Sequence, residues 1–597
     1  MCILRVAKNV ILLYYYFIMM YVEEYPMKKL VSVLLAAVVV TASAAVPISA
    51  AETDDSVLGI AVASDLHYEA PEEELEGSID DEIYWYANRR AEMSNESGFI
   101  IDEFLRQCAE NDECDYVLIS GDLANNGRRR PEDHETIAKK LADFEKESGK
   151  SVFVIDGNHD VGTTGTTVEL FKEIYADFGY NEALTVDEKT CSYTVDLGEK
   201  YRLIALDTCD PSVSTADGMN TERLDWVRCQ VKVAKSDGRY PIVMMHHNLL
   251  DHLPMQRILS KNFIIKFHFT TAEMFADWGV KLVFSGHEHC SDATSYTSAL
   301  GNVIYDFATT SLIMYPLEYR FVTLTDSVIK YEAKTIDRID TDALTSTVKG
   351  YSEKQIDLMN AGLNAYAKGF FKQGIKYRLS KNLSAEGMGV EEDSAFYPLV
   401  DKAVKTLNDL LNMPLYGENS VQELAKKYNI DIPDSEYKNA WDLATELVAA
   451  HYSGGESFEL DSTEVTILLR TVSLILKTEL TTFTDTEFTR AAAQLIKMFG
   501  TAPAIDALEN AADSVYGGIN PGEYFIIALV SPLLYEFAFD SDGVDDNNGS
   551  IPGYGESGVR QNLDNIGINA EAKIRLLQKY VAMFLDYISK MVGSAGK

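Results

Sequence analysis

The length, composition and charge of the sequence narrow the classes of protein it can encode. The chain has 597 residues, of which 46% are hydrophobic and 24% charged, so it is too long for one hydrophobic core and has the composition of a folded rather than a disordered protein. The formal net charge of −39 disfavours nucleic acid and anionic membrane surfaces as main partners, whereas a local metal charge can still attract a small phosphate ester.

The N-terminus carries two hydrophobic stretches. Met27–Lys29 precedes an apolar run, Leu30–Val40, and then small residues, which is the order of parts in a secretory signal peptide. The other stretch, Val10–Val22, is shorter than the roughly 20 residues that span a bilayer. We therefore expect translation to start at Met27, with residues 1–26 an extra segment, residues 27–51 a signal peptide, and the protein exported to the cell envelope or the medium without a stable membrane span. The alternative is an uncleaved anchor formed by both stretches.

An α/β domain is predicted from residue 55 to about residue 340. Short runs rich in Val and Ile alternate there with longer amphipathic segments, and an apolar run of four to seven residues suits a strand in a sheet that is covered on both faces. Six runs are predicted as buried strands: Val57–Ala63, Tyr116–Ser120, Val152–Ile155, Tyr201–Leu206, Ile242–Met245 and Lys281–Ser285. Three later runs are predicted to complete a second sheet packed on the first: Val303–Phe307, Arg320–Leu324 and Val328–Ala333.

An all-helical domain of unknown role is predicted from residue 345 to residue 597. The reciprocal capping box that starts helices recurs at Ser352-x-x-Gln355, Asp461-x-x-Glu464 and Thr484-x-x-Glu487. A closing amphipathic helix is expected near Asn569–Met591.

Six cysteines follow the predicted signal peptide: Cys108, Cys114, Cys191, Cys209, Cys229 and Cys290. Export would permit disulfides, but six cysteines allow 15 connectivities and none belongs to a C-x-x-C pair. Buried free thiols are an equally good interpretation.

Five of the predicted strands end in side chains that bind metals. The endings are Asp65-Leu66-His67, Gly121-Asp122, Gly157-Asn158-His159-Asp160, His246-His247 and Gly286-His287-Glu288-His289. The carboxyl ends of the strands of an open α/β sheet line one crevice, so these residues should converge in space. A single such motif is more often an ordinary loop or turn, but all five occur here in order, and nine of the ten histidines lie between residues 67 and 289.

The series resembles the calcineurin-like metallophosphoesterase superfamily, whose pattern is D-x-H, G-D, G-N-H-[DE], H and G-H-x-H, over about residues 57–336. The resemblance implies a two-sheet α/β sandwich and a dinuclear metal centre. In it, Asp65, His67 and His289 would hold one metal, Asn158, His246 and His287 the other, and Asp122 would bridge both.

The residue types agree with that chemistry on their own account. Carboxylate, imidazole and amide ligands without thiolate suit Mn, Fe or Zn in a catalytic site. Two cations roughly 3.5–4 Å apart can share a carboxylate and lower the pKa of a bridging water, so that a metal-bridging hydroxide attacks the phosphate ester. His159 would donate a proton to the leaving group. Asp160 is the candidate that orients His159, and a turn-forming role for Asp160 is equally compatible with the sequence.

Substrate choice depends on loops and is less determined. Successive residues of a strand point to opposite faces, so only one histidine of the His246-His247 pair can face the metals, and the resemblance selects His246. Asn125 stands where purple acid phosphatases carry a tyrosine ligand, and the doubled histidine resembles the bacterial phosphodiesterase branch, which slightly favours a phosphodiester substrate. A phosphomonoesterase of the same fold is one alternative, and a cell-surface binding protein whose helical domain recognises a partner is another. The loop Asn248–Gly279, with His252 and His268, is expected to form a cap in which these histidines have structural roles.

Overall fold

The computed structural model describes most of the chain up to residue 479 and a short segment near its end. The described ranges are 57–71, 91–252, 262–382, 397–456, 462–479 and 544–555, with a few isolated residues between them. The predicted signal peptide, the helix start at Thr484 and the closing helix near Asn569–Met591 lie outside these ranges. Within them, no helix is both long and apolar enough to cross a membrane.

The described strands form two mixed sheets. They are β1 (Leu58–Ala63), β2 (Tyr116–Ile119), β3 (Ser151–Val154), β4 (Thr185–Val186), β5 (Tyr193–Leu197), β6 (Tyr201–Leu206), β7 (Tyr240–Met245), β8 (Leu282–Ser285), β9 (Asp292–Thr297), β10 (Val303–Ala308), β11 (Glu318–Leu324), β12 (Val328–Thr335) and β13 (Asn548–Pro552). One sheet has the order β13-β12-β11-β1-β2-β3 and the other the order β4-β5-β6-β7-β8-β10-β9.

The centre of each sheet is parallel, as the apolar runs predict. Strands β1, β2 and β3 are parallel neighbours, and so are β6, β7, β8 and β10. Ile60 to Ala63 of β1 are fully buried, because helices cover one face of the sheet and the other sheet covers the opposite face. The predicted two-sheet α/β sandwich is confirmed.

Two features of the sheets differ from expectation. The runs at Arg320 and Val328 do form strands, but β11 pairs antiparallel with β1 and so extends the first sheet rather than the second. The second sheet instead gains β5 and β9, whose sequences YTVDL and DATSYT carry polar residues and lack an apolar run. An apolar run reports burial, and it does not report which strand lies beside it.

Helices flank the sheets and then continue beyond them. Those of the sandwich are α1 (Ser97–Glu110), α2 (Pro131–Ser148), α3 (Val168–Ile174), α4 (Thr221–Ser236) and α5 (His268–Trp278). Those that follow are α6 (Thr341–Thr347), α7 (Glu353–Ala361), α8 (Leu363–Asn382), α9 (Tyr397–Asn412), α10 (Val421–Lys427), α11 (Ala440–Tyr452) and α12 (Thr463–Glu479). The capping box at Ser352 and Gln355 is present at the start of α7. Helix α12 begins at Thr463, where the Ser462 hydroxyl accepts from the Val465 amide.

A strand from near the end of the chain joins the sandwich. Strand β13 pairs antiparallel with β12, and the buried Tyr554 that follows it donates its hydroxyl to the Pro241 carbonyl at 2.7 Å. The Lys281 ammonium donates to the carbonyls of Pro552 and Gly553. The division at residues 340–345 stays a prediction, and the sheet takes one strand from beyond it.

The six cysteines between residues 108 and 290 are all free thiols in the structure. Five of them are buried, and Cys229 is exposed. This matches the interpretation as buried free thiols for all but Cys229.

Candidate metal centre

The predicted ligands meet where the carboxyl ends of the two sheets face each other. Asp65 and His67 follow β1, Asp122 follows β2 and Asn158 follows β3, all in the first sheet. From the second sheet, His246 follows β7 and the pair His287 and His289 follows β8. The structure therefore brings together all seven residues that the sequence predicts as metal ligands.

The backbone at these residues is unusual. Ten residues other than glycine have a positive φ in the described structure, and five of them are predicted ligands: Asp65 (51°), His67 (37°), Asp122 (49°), His287 (68°) and His289 (64°). This left-handed conformation is uncommon for residues with a Cβ atom and concentrates at functional sites, where the surrounding structure enforces it.

Two glycines of the motifs are required by close packing. A Cβ atom on Gly157 would lie 2.2 Å from Asp122 Oδ1, and one on Gly286 would lie 1.8 Å from Ser64 Oγ. Both distances are far inside van der Waals contact, so no other residue fits at either position without moving the ligand loops.

The first cluster of donor atoms contains Asp65, His67 and His289. The His67 and His289 Nε2 atoms lie 3.2 Å apart, and Asp65 Oδ1 lies 3.5 Å from His67 Nε2 and 3.1 Å from His289 Nε2. The other carboxylate oxygen, Asp65 Oδ2, already accepts hydrogen bonds from the Ser64 hydroxyl and the His287 amide. Asp65 is thus fixed by one oxygen and turns the other toward the imidazoles.

The second cluster contains Asn158, His246 and His287. His246 Nε2 lies 3.1 Å from Asn158 Oδ1, and the ring of His287 lies 4.7 Å from that of His246. Because the Ser120 carbonyl can only accept, His246 Nδ1 donates to it at 3.0 Å. His246 Nε2 is then the ring nitrogen that faces the cluster, where a metal ion would take the place of a proton, and such a bond to Nδ1 is the usual way a protein orients a metal-binding histidine.

Asp122 lies between the two clusters. Its Oδ2 atom is 3.6 Å from His67 Nε2 and 3.3 Å from His246 Nε2, whereas Oδ1 accepts the His159 amide at 2.7 Å. One carboxylate oxygen therefore faces ligand atoms of both clusters, as the predicted bridging role requires.

The donor atoms fit metal ions. Ligands about 2.1 Å from an ion, at tetrahedral or octahedral angles, lie about 3.0–3.4 Å from one another, and most of the separations above are close to that range. Asp65 Oδ1 is buried without a hydrogen-bond partner among the described residues, which is costly unless a cation fills the space it faces. The donor set of carboxylate, imidazole and amide, without thiolate, is the one that suits Mn, Fe or Zn.

The electrostatics of the site favour positive charge. Burial by itself would raise the pKa of Asp122, but the imidazoles of His246, His159 and His67 hold it well below its ordinary value. Burial acts to lower the pKa of His246, and the carboxylates of Asp122 and Asp65 overcome it and raise that pKa to about 10. Buried carboxylates stay ionised here only with cations beside them, and bound metal ions would supply that charge.

The two predicted catalytic residues lie at the site in different ways. The ring of His159 lies 4.9 Å from that of His67, and its Nδ1 atom donates to the Asn125 carbonyl at 2.7 Å. Asp160 is buried, and its carboxylate accepts the amides of Leu123, Ala124 and Gly157. Asp160 thus joins the loops after β2 and β3, in keeping with the turn-forming role. The Asn125 carbonyl, and not Asp160, accepts the hydrogen bond from the His159 ring.

Two further histidines, His247 and His252, form buried hydrogen bonds and ion pairs around the site. His247 is buried, bonds the Thr208 hydroxyl at 2.9 Å and packs its ring 4.5 Å from that of His287. His252 lies between the carboxylates of Asp292 and Asp306, which raise its pKa to about 10 against the lowering effect of burial. His252 therefore has the structural role expected of it.

Three contacts were missed by sequence reasoning. They are the Asn125 carbonyl under His159, the Ser64 hydroxyl on Asp65 and the ring of Phe263, which stacks on His287. The first uses a backbone atom, which carries no residue-type signal. The other two use residue types that are common in loops and cores.

Taken together, the fold and the site define a metal-dependent hydrolase with a carboxylate-bridged pair of ligand clusters. Residues 58–291 match the family model of the calcineurin-like phosphoesterases, so this region belongs to that family and the protein is a metal-dependent phosphoric ester hydrolase. The resemblance seen in the sequence is thereby confirmed.

Comparison with individual proteins adds little. No curated protein matches the chain. Among solved structures, a dimetal phosphatase from Danio rerio is 11% identical with a TM-score of 0.33, over 47% of this chain and 96% of that one. PhoD is 12% identical with a TM-score of 0.30, over 48% and 68% of the two chains. The NAD nucleotidase of Haemophilus influenzae is 10% identical with a TM-score of 0.28, over 53% and 60%. Similarities this low carry no conclusion about substrate.

Proposed function

We propose that this protein is an exported phosphodiesterase that hydrolyses small phosphate esters at a dinuclear metal centre. The observation that carries the proposal is the position of Asp122 Oδ2, which faces His67 of one cluster and His246 of the other. Two ions would share this oxygen, and the remaining ligands would divide between them in the way that the sequence motifs imply.

Each ligand would have a defined task. Asp65, His67 and His289 would hold the first ion, Asn158, His246 and His287 the second, and Asp122 both. When bound, such ions activate water for attack and neutralise the charge of the phosphate oxygens. The chain holds the ligands rigidly. Asp65, Asp122 and His246 each have one polar atom that faces the clusters and a second one that forms a hydrogen bond to the backbone.

His159 would protonate the leaving group. Because its Nδ1 atom donates to the Asn125 carbonyl, Nε2 is the ring nitrogen that would reach the ester oxygen. Its backbone amide donates to Asp122 and its ring to the Asn125 carbonyl, and the two bonds together hold the ring in one position relative to the ligand clusters. A proton donor placed in this way accelerates departure of an alkoxide by about 10²–10⁴-fold.

A diester is preferred over a monoester for a reason of charge. A diester carries one negative charge, whereas a monoester carries two near neutral pH, and a second charge is commonly matched by arginine. Arg128, next to the site, donates to the backbone carbonyls of Asn158 and Pro211, and Arg130 pairs with Glu132 and Asp133. Both side chains thus spend part of their donors within the protein, which leaves fewer for a second phosphate charge and favours the monoanionic substrate.

Export is proposed from the order of charged, apolar and small residues at positions 27–51, outside the described structure. Mass spectrometry of the N-terminus of protein recovered from the envelope and medium tests it. A mature N-terminus near residue 52 is expected, and intact residues 27–51 on the recovered protein would contradict cleavage.

The enzymatic proposal is tested with two aryl esters. The purified protein is stripped of metal, supplied with Mn, Fe or Zn, and assayed with bis(p-nitrophenyl) phosphate and p-nitrophenyl phosphate beside Asp122→Ala. Metal-dependent turnover that favours the diester and is lost in Asp122→Ala is expected. Faster turnover of the monoester would replace the diesterase by a phosphomonoesterase, and no turnover with any metal would refute both.

A further inference from the structure

An aromatic ring from the cap loop lies directly beside the second ligand cluster. The Asn248 amide donates to the Phe263 carbonyl at 3.0 Å, and the Ile265 amide donates to the Asn248 carbonyl at 3.1 Å. Asn248 follows the His246-His247 pair, and its own side-chain amide donates to the Gly286 carbonyl. The backbone at residue 263 is therefore tied, through Asn248, to the ends of β7 and β8, which carry the two histidines of the second cluster.

The ring of Phe263 stacks on the imidazole of His287. The two ring centroids are 4.4 Å apart and the planes differ by 27°, which is an offset stacked arrangement. The neighbours Ile264 and Ile265 are buried in the core, whereas Phe263 is only partly buried. The chain thus buries the two aliphatic side chains and leaves the aromatic one at the rim of the centre.

This position has a consequence for the substrate. His287 belongs to the group of possible metal ligands that contains Asp122 and His246, so Phe263 packs directly on one of the side chains that would hold the metal ions. A substituent of the phosphate ester that extends toward Phe263 would meet the part of its ring that does not contact His287. An aromatic ring favours a flat aromatic partner over a puckered aliphatic one of similar size, because only the flat one can stack closely.

We infer that Phe263 forms a subsite for a flat aromatic substituent of the phosphate ester, and this inference rests on the proposed function. The substrate class is then an ester in which at least one group attached to the phosphate is an aromatic ring or carries one close to the phosphorus. Phe263 is a specificity residue in this scheme, and the ligand clusters perform the reaction.

The experiment compares two probes of equal charge, one aromatic and one aliphatic. Methyl phenylphosphonate and methyl cyclohexylphosphonate are monoanions that imitate a diester and differ in the flatness of one ring. Their binding to the metal-loaded full-length protein is measured by calorimetry, and turnover of bis(p-nitrophenyl) phosphate is recorded with the same samples. The variants are Phe263→Leu, which keeps an apolar side chain without an aromatic face, and Phe263→Tyr, which keeps the face.

Phe269→Leu is the matched control, because Phe269 belongs to the same segment but its ring contacts His268 and Tyr296. The wild-type protein should bind the phenyl compound about 2- to 10-fold more tightly. Phe263→Leu should lose this preference with little change for the cyclohexyl compound, and Phe263→Tyr and Phe269→Leu should keep it.

Two results would overturn the subsite alone, and a third would overturn it together with the proposed function. Equal binding of both probes to the wild-type protein that still turns over the diester would remove it and leave the proposed function intact. Equal weakening of both probes in Phe263→Leu, with lower metal content, would show that the ring only supports His287. Absence of both binding and turnover in the wild-type protein would refute the proposed function and the subsite together.

Discussion

Tyr554 offers the sharpest test of whether the end of the chain belongs to the phosphoesterase domain. The residue is 4% exposed, its ring stacks on Tyr240 with centroids 4.8 Å apart, and its hydroxyl bonds the Pro241 carbonyl and the Leu282 amide. Replacing a buried aromatic residue by alanine costs about 3–5 kcal/mol. The lost hydroxyl contacts leave buried backbone groups unpaired, which costs about 1–3 kcal/mol more.

Tyr554→Ala should therefore lower the free energy of unfolding of the sandwich by about 4 kcal/mol or more, and Tyr554→Phe by only about 1–3 kcal/mol. The assay is urea unfolding followed by far-ultraviolet circular dichroism and by residual hydrolysis. Phe269→Ala is the control, because its ring is 42% exposed and its loss should cost little. A change below about 1 kcal/mol in Tyr554→Ala, well under the usual cost of such a cavity, would refute the idea that residues beyond 544 complete the sheet.

Three further changes probe the site and its surroundings. His159→Gln should lower kcat by about 10²–10⁴-fold for an alkyl ester. The loss should be much smaller for a p-nitrophenyl ester, because its leaving group needs no proton. Elemental analysis should show an unchanged metal content. Gly157→Ala should abolish metal binding, because its Cβ atom would lie 2.2 Å from Asp122 Oδ1. Gly369→Ala is the control, because Gly369 has open space around it. This control should stabilise α8 by about 0.5–1 kcal/mol, measured by thermal unfolding. Burial raises the pKa of Glu318 to about 7, so the folded state holds a proton that the unfolded state releases. The free energy of unfolding should therefore fall as the pH rises from about 4.5 to 7. Glu318→Gln should remove up to about 3 kcal/mol of that fall, measured by urea unfolding at several pH values.

Each of these has an outcome that contradicts it. Equal loss of kcat for both esters in His159→Gln would exclude proton donation by that ring. Normal metal content in Gly157→Ala would show that the loops can separate. Parallel pH profiles for the wild-type protein and Glu318→Gln would mean that Glu318 titrates alike in the folded and unfolded states.

Local sequence was sufficient for the strands at the centre of the fold and for the ligand residues. A run such as Ile60–Ala63 is apolar at every position because both faces of a central strand are covered, so its pattern is independent of its neighbours. The ligands follow such runs directly, and the carboxyl ends of parallel strands meet at one edge. These strand endings, together with the resemblance to the calcineurin-like family, predicted the seven residues that the structure brings together.

Tertiary structure decided what depends on distant partners. Strand β13 pairs with β12, which lies more than 200 residues earlier in the sequence. The residues of Asn548–Pro552 give no indication of that partner. In the same way, β11 joins β1 rather than the second sheet, because the partner of a strand is set by register and available hydrogen bonds and not by the hydrophobicity of the strand itself.

The finer arrangement of the site also came from tertiary contacts. His159 is held by the Asn125 carbonyl, and a backbone oxygen is the same in every residue type. The stacking of Phe263 on His287 joins a loop residue to a strand end 24 positions away, and an isolated phenylalanine in a loop has the same sequence signature whether it faces a core or a metal centre. Local patterns thus determined which residues could bind metal, and only packing determined which neighbours orient them.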